Sequence, residues 1–266
     1  MKSTQDILSQ ATDKQLILAS ACYTNQLNKV KDLIENKKMN PNIPTINGWY
    51  PIHYAVYEEN FEIFKYLVEI GADINVVTTE NQSIFHLAAS VDEIDVVEFI
   101  VNSEKFRRLM KINLKDLDGS NELLYACEYN AIEVLNILLK NPDIKKNYSF
   151  KEKDNTGENI FSIVCRKGHL EILKLLYSLE NIELEMNIID TNNKTPFIHA
   201  VSNNHREVID YLLYEANYKI DSYSLEYLAQ NKDKYKDIFE KVTKKELYSF
   251  LNENLDNKLI EKKHKI

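Results

Sequence analysis

The amino-acid sequence predicts an all-α repeat solenoid, in which helix–turn–helix units with short hairpin-like tips stack between helical caps. Two observations predict it: apolar residues recur at the spacing of helix faces, and the same layout returns every 33 to 38 residues. The clearest unit covers residues 47–79, where a short apolar helix precedes an amphipathic helix that Gly71 ends. Since one such unit cannot bury its apolar face alone, its neighbours must stack on it.

A small residue in the first helix of each unit sets the register, and we call it the register residue. Six residues after it, the second helix begins with an apolar side chain, except at Arg206. Intervals above 33 residues predict longer helices or loops at 103–111, 141–148 and 180–185. The register residues follow one another at intervals of 34, 33, 38, 38 and 36 residues: Ala21, Ala55, Ala88, Ala126, Val164 and Ala200.

The letters of several units match the motifs of a known family. Segments 50–55 (YPIHYA) and 83–88 (SIFHLA) follow the pattern Thr-Pro-Leu-His-x-Ala, and segment 195–200 (TPFIHA) keeps most of it. Segments 168–171 (GHLE) and 71–75 (GADIN) supply two further steps of the same repeat. Over about residues 13–220 the chain therefore resembles ankyrin repeats. The resemblance implies a non-catalytic solenoid that binds other proteins.

The register divides the chain into repeats with a segment at either end. Thr12 with Gln15, and Thr243 with Glu246, have the spacing of capping boxes and predict helix starts there. The tail after Asp221 keeps helical spacing without repeat letters, which is typical of a terminal cap. We expect a leader at 1–12, an N-terminal ankyrin-like repeat at 13–46, repeats at 47–79 and 80–116, a degenerate repeat at 117–153, repeats at 154–190 and 191–220, and a C-terminal helical cap at 221–266.

Composition and charge exclude several classes of protein. A net charge of -8 argues against non-specific binding to nucleic acid, which requires a field of Lys and Arg. No stretch reaches the roughly 18 apolar residues of a membrane span, and the start lacks the apolar run of a secretory signal. The odd number of widely spaced cysteines gives no disulfide framework. We expect a cytoplasmic monomer, in the producing cell or, for a secreted effector, in a host cell.

The cysteines and histidines follow the register rather than a site. Cys22, Cys127 and Cys165 each come directly after a register residue, where other units carry Val or Ala, so packing explains them better than metal binding or nucleophilic chemistry. His53 and His86 share one position of the repeat, and no histidine pairs with a carboxylate at ligand spacing. Acidic runs such as 92–95 are interpreted as solvated faces. We expect no catalysis, cofactor or metal.

The resemblance implies that the tips and the exposed ends of the first helices face the partner. Aromatic residues occupy these positions toward the amino terminus and basic residues toward the carboxyl terminus, which predicts a partner segment with an apolar anchor at one end and acidic residues at the other. The alternative is that Trp49 packs against the next tip and the tyrosines cover helix ends. The candidate partner-binding residues are Tyr23, Ile46, Trp49, Tyr57, Glu58, Gln82, Val91, Glu128, Tyr129, Arg166, Lys167 and Lys194.

The function that these features predict is that of a scaffold or adaptor binding a partner polypeptide along the concave groove. A second interpretation is a recruiting subunit or host-directed effector, whose C-terminal helices dock a larger complex such as a ubiquitin ligase. A third, an enzyme with a hidden site, rests only on the unassigned tail.

Overall fold

The computed structural model describes residues 4–179, 186–216 and 218–245, with side chains from residue 14 onward. No β-strand lies among these residues. The first helix of each pair is α1 Thr4–Tyr23, α3 Pro51–Tyr57, α5 Ile84–Val91, α8 Glu122–Glu128, α11 Ile160–Lys167 or α13 Pro196–Ser202. The second is α2 Leu27–Lys31, which continues as a π-helical turn over Asp32–Asn36, α4 Phe61–Glu69, α6 Ile94–Asn102, α9 Ile132–Lys140, α12 Leu170–Tyr177 or α14 Arg206–Tyr214.

The chain folds into two compact units, residues 1–160 and residues 161–266. In the first unit, α1, α3, α5 and α8 contact one another in that order, and so do α2, α4, α6 and α9. In the second unit, α12 contacts α14, and α13 contacts α14 and the further helix α15, Ser222–Gln230. The chain thus has the all-α stacked-pair architecture that the sequence predicts.

The register residues lie at the centre of the packing. Every one of the six has no exposed surface, and the large side chains buried beside them include Phe85 in the first unit and Phe197 in the second. Cys22, Cys127 and Cys165 are equally buried and unpaired with one another, and burial raises the pKa of the Cys22 thiol to about 12. The cysteines therefore serve as small apolar side chains, as their register predicts.

The turn between the two helices of a pair has one conformation in all six repeats. The fourth residue after each register residue has a positive φ, between 54° and 80°. Only one of the six is glycine, although an L-residue in this conformation costs roughly 1–2 kcal/mol. The six residues are Asn25, Glu59, Asp92, Asn130, Gly168 and Asn204.

Each tip is a hairpin-like turn closed by two backbone hydrogen bonds. Its first residue donates its N–H to the carbonyl four residues on and accepts from the N–H three residues on; for Thr45 the distances to Trp49 O and Gly48 N are 2.8 and 2.9 Å. The tips thus repeat at the same intervals as the register residues. The first residues of the five tips are Thr45, Thr78, Asp116, Asp154 and Asp190.

Side-chain amides connect successive repeats of the first unit. The Nδ2 of Asn75 donates to Leu109 O at 2.9 Å, and its Oδ1 accepts from Lys111 N at 2.7 Å. Asn42, at the same position of its repeat, makes both contacts with Gly71 O and Asp73 N. The Nδ2 of Asn113, at this position too, donates to Asn147 O at 2.9 Å. Because these bonds join backbone groups that no helix satisfies, they fix each repeat on the next.

Two predicted insertions are short helices. Ser103 caps α7 (Glu104–Leu109), since its hydroxyl accepts from Phe106 N. Asn141 caps α10 (Pro142–Lys145) through its side chain. The insertion predicted at 180–185 lies outside the described residues.

Both capping-box predictions at the ends were wrong. α1 begins at Thr4 and runs through Thr12, so Thr12 does not start a helix. Thr243 lies within the last described helix, α16 (236–245), where its hydroxyl donates to Phe239 O at 2.8 Å instead of capping. α16 packs on the second unit through Val242, which is fully buried, and through a 2.6 Å ion pair between Lys241 and Asp210.

None of the described helices is both long enough and apolar enough to cross a bilayer.

Candidate partner-binding surface

An aromatic pocket of about 410 Å³ opens in the first unit, where three consecutive repeats contribute side chains. Trp49 stands at the end of the first of these tips and Tyr57 ends α3. Gln82 ends the next tip, and α5 and α8 supply the remaining walls. We define the aromatic pocket by its lining residues Trp49, Tyr57, Gln82, Leu87, Ser90, Tyr125 and Tyr129.

Trp49 is fixed by rings of its own repeat. Its ring centroid lies 5.3 Å from that of Tyr54, 5.5 Å from that of Tyr57 and 6.0 Å from that of His53, the last two edge to face. Edge-to-face and offset pairs at these distances are favourable, so the indole is held in place while part of its surface remains open. These three rings belong to the same repeat as Trp49, and the indole also lines the pocket.

The far wall is ordered by hydrogen bonds. The Tyr125 hydroxyl donates to Asp116 Oδ2 at 2.9 Å and accepts from Gln82 Nε2 at 2.7 Å, and its ring lies edge to face on His86. Burial and the Asp116 carboxylate raise the pKa of Tyr125, so the hydroxyl remains a donor at neutral pH. Tyr129 lies 5.6 Å from Tyr125, with about half its surface exposed.

The register places four of the twelve candidate residues in this pocket: Trp49, Tyr57, Gln82 and Tyr129. The other three lining residues, Leu87, Ser90 and Tyr125, are not among the twelve. Leu87 and Tyr125 both precede a register residue by one position, as Tyr54 does, so the alignment could have identified them.

Other candidates of the first unit lie outside the lining of the pocket. Tyr23 is exposed, with its ring edge to face on Tyr54 at 6.5 Å, and Ile46 is 81% exposed at its tip. Glu58, Val91 and Glu128 are half-buried.

The second unit carries basic residues at equivalent positions, which we call the basic cluster: Arg166, Lys167 and Lys194. Lys167 is exposed, and Lys194 Nζ lies 3.4 Å from Ser202 Oγ. The Arg166 carbonyl accepts from the Nε2 of His205 at 2.7 Å, which fixes the end of α11 on the next turn. The structure therefore presents these side chains on a first-helix end and a tip.

A model of the family described as ankyrin repeats matches the chain three times, over residues 2–78, 70–149 and 144–223. The chain belongs to the ankyrin repeat family. These matches cover the helix pairs and tips described above, including every residue of the aromatic pocket and the basic cluster.

Three relatives show how far the similarity extends. A putative ankyrin repeat protein of Acanthamoeba polyphaga mimivirus is 28% identical over 122 residues, 40% of this chain and 16% of that protein. Notch-regulated ankyrin repeat-containing protein A of Danio rerio is 30% identical over 83 residues, 31% of this chain and 74% of that protein. The probable 26S proteasome regulatory subunit p28 of Saccharomyces cerevisiae is 31% identical over 107 residues, 40% of this chain and 45% of that protein. The chain thus spans less than half of the first and third.

The two motif histidines, His53 and His86, each join two segments of backbone. His86 Nδ1 accepts from Ser83 N at 3.1 Å, and its Nε2 donates to Ser120 O at 3.0 Å in the next tip. His53 bridges Tyr50 N and Val76 O in the same way. Burial lowers the pKa of His53 to about 4, so the ring is neutral at physiological pH and works as a structural clamp.

His199 corrects the expectation that no histidine pairs with a carboxylate. Its Nε2 donates to Asp190 Oδ2 at 2.8 Å, and both side chains are buried. His199 precedes its register residue by one position, as Tyr125 does, and each donates to the aspartate that begins its own tip. The residue is therefore in step with Tyr125 rather than with His53 and His86.

Two acidic residues are buried, and one of them, Glu93, lies in a run that the sequence analysis interprets as a solvated face. Glu122 has no exposed surface; its Oε1 accepts from Leu114 N at 3.3 Å and its Oε2 from the Tyr148 hydroxyl at 3.3 Å. Burial raises the pKa of Glu122 to about 7. Glu93, within the run 92–95, is also buried, and burial and then Asp95 raise its pKa to about 7.

Proposed function

We propose that this chain is a non-catalytic adaptor that binds a partner polypeptide along its tips and first-helix ends, with the aromatic pocket as the principal contact. Ankyrin repeats generally mediate interactions between proteins. The observation that carries the proposal is the pocket itself. Three repeats converge there, and the exposed rings of Tyr57 and Tyr129 line it together with Gln82 and Ser90.

The composition of the pocket supports this role. Trp and Tyr are enriched at interface hot spots, where truncating one central residue costs roughly 2 kcal/mol or more. Trp49 and Tyr125 are held before any partner arrives, so binding does not have to order them. The volume of the pocket lies in the roughly 300–1,000 Å³ range of ligand-sized pockets, which suits one partner side chain and its neighbours.

The basic cluster supports a second contact. The cluster lies at a tip and a first-helix end, the positions that the resemblance to ankyrin repeats implies for partner contacts: Arg166, Lys167 and Lys194. Guanidinium and ammonium groups pair with carboxylates. We propose that they bind acidic residues of a partner segment.

Recovery of partners from the native cell tests the proposal. Tagged wild-type chain is compared with Trp49→Ala, Tyr129→Ala and Arg166→Ala, each with an unchanged circular dichroism spectrum. Tyr214→Ala is the matched control, because Tyr214 is as exposed as Tyr129 but ends a second helix. We expect a specific partner that Tyr129→Ala and Trp49→Ala lose and Tyr214→Ala keeps. Unchanged recovery with the three surface variants would contradict the proposal.

A docking role for the C-terminal helices is the alternative. The yeast relative named as a probable proteasome regulatory subunit keeps it open, since that name describes a component of a larger machine. Truncation after Asp221 separates the roles. Loss of folding in the second unit supports a cap, because α15 contacts α13 and Val242 is buried. Loss of one partner with the fold intact supports a dock, and loss of a catalytic turnover would revive the enzyme interpretation.

We also propose that the chain acts as a monomer in the cytoplasm of the producing cell or of a host cell. Support comes from the three free cysteines, which are buried thiols of the kind that reducing compartments preserve. Fractionation of the native cell with an epitope tag, together with gel filtration, tests both parts.

A further inference from the structure

The aromatic pocket lies in the most acidic stretch of the chain. Between Lys38 and Lys105, Lys65 is the only Lys or Arg, whereas eleven residues are Asp or Glu. This stretch supplies five of the seven lining residues, from Trp49 to Ser90. The net negative charge of this stretch therefore favours a cationic ligand over an anionic one.

Carboxylates also neighbour the lining residues in the sequence. Glu58 directly follows Tyr57, and Glu128 directly precedes Tyr129. Asp116 accepts from the Tyr125 hydroxyl behind the far wall. The seven lining residues include no Lys or Arg, so the pocket itself carries no cation that would repel a positively charged ligand.

The rings themselves favour a positive charge. The face of an aromatic ring carries negative potential, and a Lys or Arg group within about 6 Å of the centroid is attracted to it, most strongly by Trp and Tyr. Trp49 and Tyr57 meet edge to face at 5.5 Å, and Tyr125 and Tyr129 are tilted at 5.6 Å. An apolar side chain would gain only the burial of its own surface, without this electrostatic attraction.

We infer that the aromatic pocket binds a positively charged side chain, arginine or lysine, of the partner segment. This inference rests on the proposed function and replaces the apolar anchor that the sequence alone predicted for this end of the surface. The cation lies over the ring faces, with the carboxylates of Glu58 and Glu128 at the rim. The remaining partner residues extend along the tips.

Trp49 makes the inference directly measurable, because it is the only tryptophan of the chain and lines the pocket. The full chain is titrated with short acetylated peptides of Gly and Ser that differ only in one central residue, Arg, Lys, Leu or Glu, while indole fluorescence is recorded. We expect saturable changes with the Arg and Lys peptides at concentrations at least about fivefold lower than with the Leu peptide. Equal or tighter binding of the Leu peptide would overturn the inference, and so would no response to any peptide up to about 10 mM.

Paired variants separate the charge of the ligand from simple burial. Tyr129→Leu keeps an apolar wall and should weaken the Arg peptide at least about threefold, whereas Tyr129→Phe should keep its affinity. Glu58→Gln with Glu128→Gln should weaken it by a similar factor. Glu62→Gln with Glu69→Gln is the matched control, since both residues are exposed on α4 and the net charge changes equally. Equal effects of the two glutamine pairs would show general attraction rather than a site.

These titrations distinguish the two proposals. If a native partner depends on Trp49 and Tyr129 but the pocket prefers the Leu peptide, the adaptor function stands and the cationic ligand is wrong. If the Arg peptide binds at Trp49 and no native partner depends on the pocket, the reverse holds.

Discussion

The aromatic pocket and the basic cluster occupy equivalent positions of the repeat but carry opposite chemistry. Counted from the register residue, Trp49 in the first unit corresponds to Lys194 in the second, and Tyr57 corresponds to Arg166. Tyr129 corresponds to Lys167. Three positions of the repeat therefore differ in chemistry between the two units, while the backbone of the turns and tips stays the same.

The features that recur from repeat to repeat have a physical reason. Each repeat needs a buried small residue, a left-handed turn residue four positions later and a closed tip, since these let neighbouring backbones meet. The three positions that differ between the units have no such structural requirement. Substitutions in the two units can therefore test whether the shared backbone responds alike, and they are taken from the largest expected effect to the smallest.

Gly168→Ala should destabilise the second unit by about 3 kcal/mol. A Cβ here would lie 2.4 Å from His205 Nδ1, and φ of +80° adds a cost of roughly 1–2 kcal/mol. Asn130→Ala, at the equivalent turn of the first unit, should cost only about 1 kcal/mol because a Cβ is already accommodated there. Urea unfolding followed by far-UV circular dichroism measures both. Equal losses would mean that the His205 contact relaxes freely.

Glu122→Gln should stabilise the first unit by about 3 kcal/mol at pH 8. The equivalent residue is Pro196 in the second unit, so the carboxyl group belongs to this repeat alone. Because the folded state raises the Glu122 pKa from 4.5 to about 7, the neutral form is favoured, and the stability it contributes is lost as pH rises from about 4.5 through 7. The amide keeps the acceptor oxygen without the charge.

The pH profile gives this prediction a second readout. His53 acts with the opposite sign: its folded pKa of about 4 lies below 6.5, so its contribution is present above pH 6.5 and is lost as pH falls toward 4. Glu93, whose pKa is also raised to about 7, acts with the same sign as Glu122. Glu122→Gln removes one of these two carboxyl contributions, so its stability should rise more steeply with pH between about 4.5 and 6.5 than that of wild type. Trp49 fluorescence in urea at each pH follows the first unit, and an unchanged profile would place Glu122 in contact with water.

His199→Phe should cost about 2 kcal/mol and Tyr125→Phe about 1 kcal/mol. Each substitution removes the donor to the aspartate that begins its tip, but Asp190 is the more deeply buried carboxylate and loses more when it is left unpaired. His199→Gln, which keeps a donor, should recover part of the loss. Thermal unfolding compares the three variants, and a larger cost at Tyr125 would reverse the ranking.

The residues that sequence reasoning located and those it missed differ in a physical way. Core packing recurs at the same position of each repeat. The burial of Cys127 and the equivalence of His86 to His53 could therefore be predicted from their positions. Glu122 could not, because its partners Leu114 and Tyr148 come from loops whose paths the repeat does not specify. Hydrogen bonds between segments of this kind depend on three-dimensional placement, and charge in the sequence does not reveal them.

The lining of the aromatic pocket was predictable in part for the same reason. The register gave the positions of Trp49 and Tyr129, but it could not show that Tyr125 reaches the surface while still ordered by Asp116. Arg206 shows the converse: its position looked apolar in five repeats, yet it begins a helix at an exposed site and pairs with Asp237. Apolar letters at helix starts therefore overstate burial.

Glu59→Gly should stabilise the first unit by about 0.5–1 kcal/mol, the smallest effect expected. Glu59 holds φ at 54° in the turn where the second unit has Gly168, and glycine removes the roughly 1–2 kcal/mol strain while costing some chain entropy. The same change takes one charge from the acidic stretch, so Glu59→Gln is the control that removes the charge and keeps the strain. Urea unfolding monitored at Trp49 should shift upward for glycine and less for glutamine. If glutamine stabilises as much as glycine, repulsion among the carboxylates, rather than the turn, limits this repeat, and the two units differ in charge even where their backbones agree.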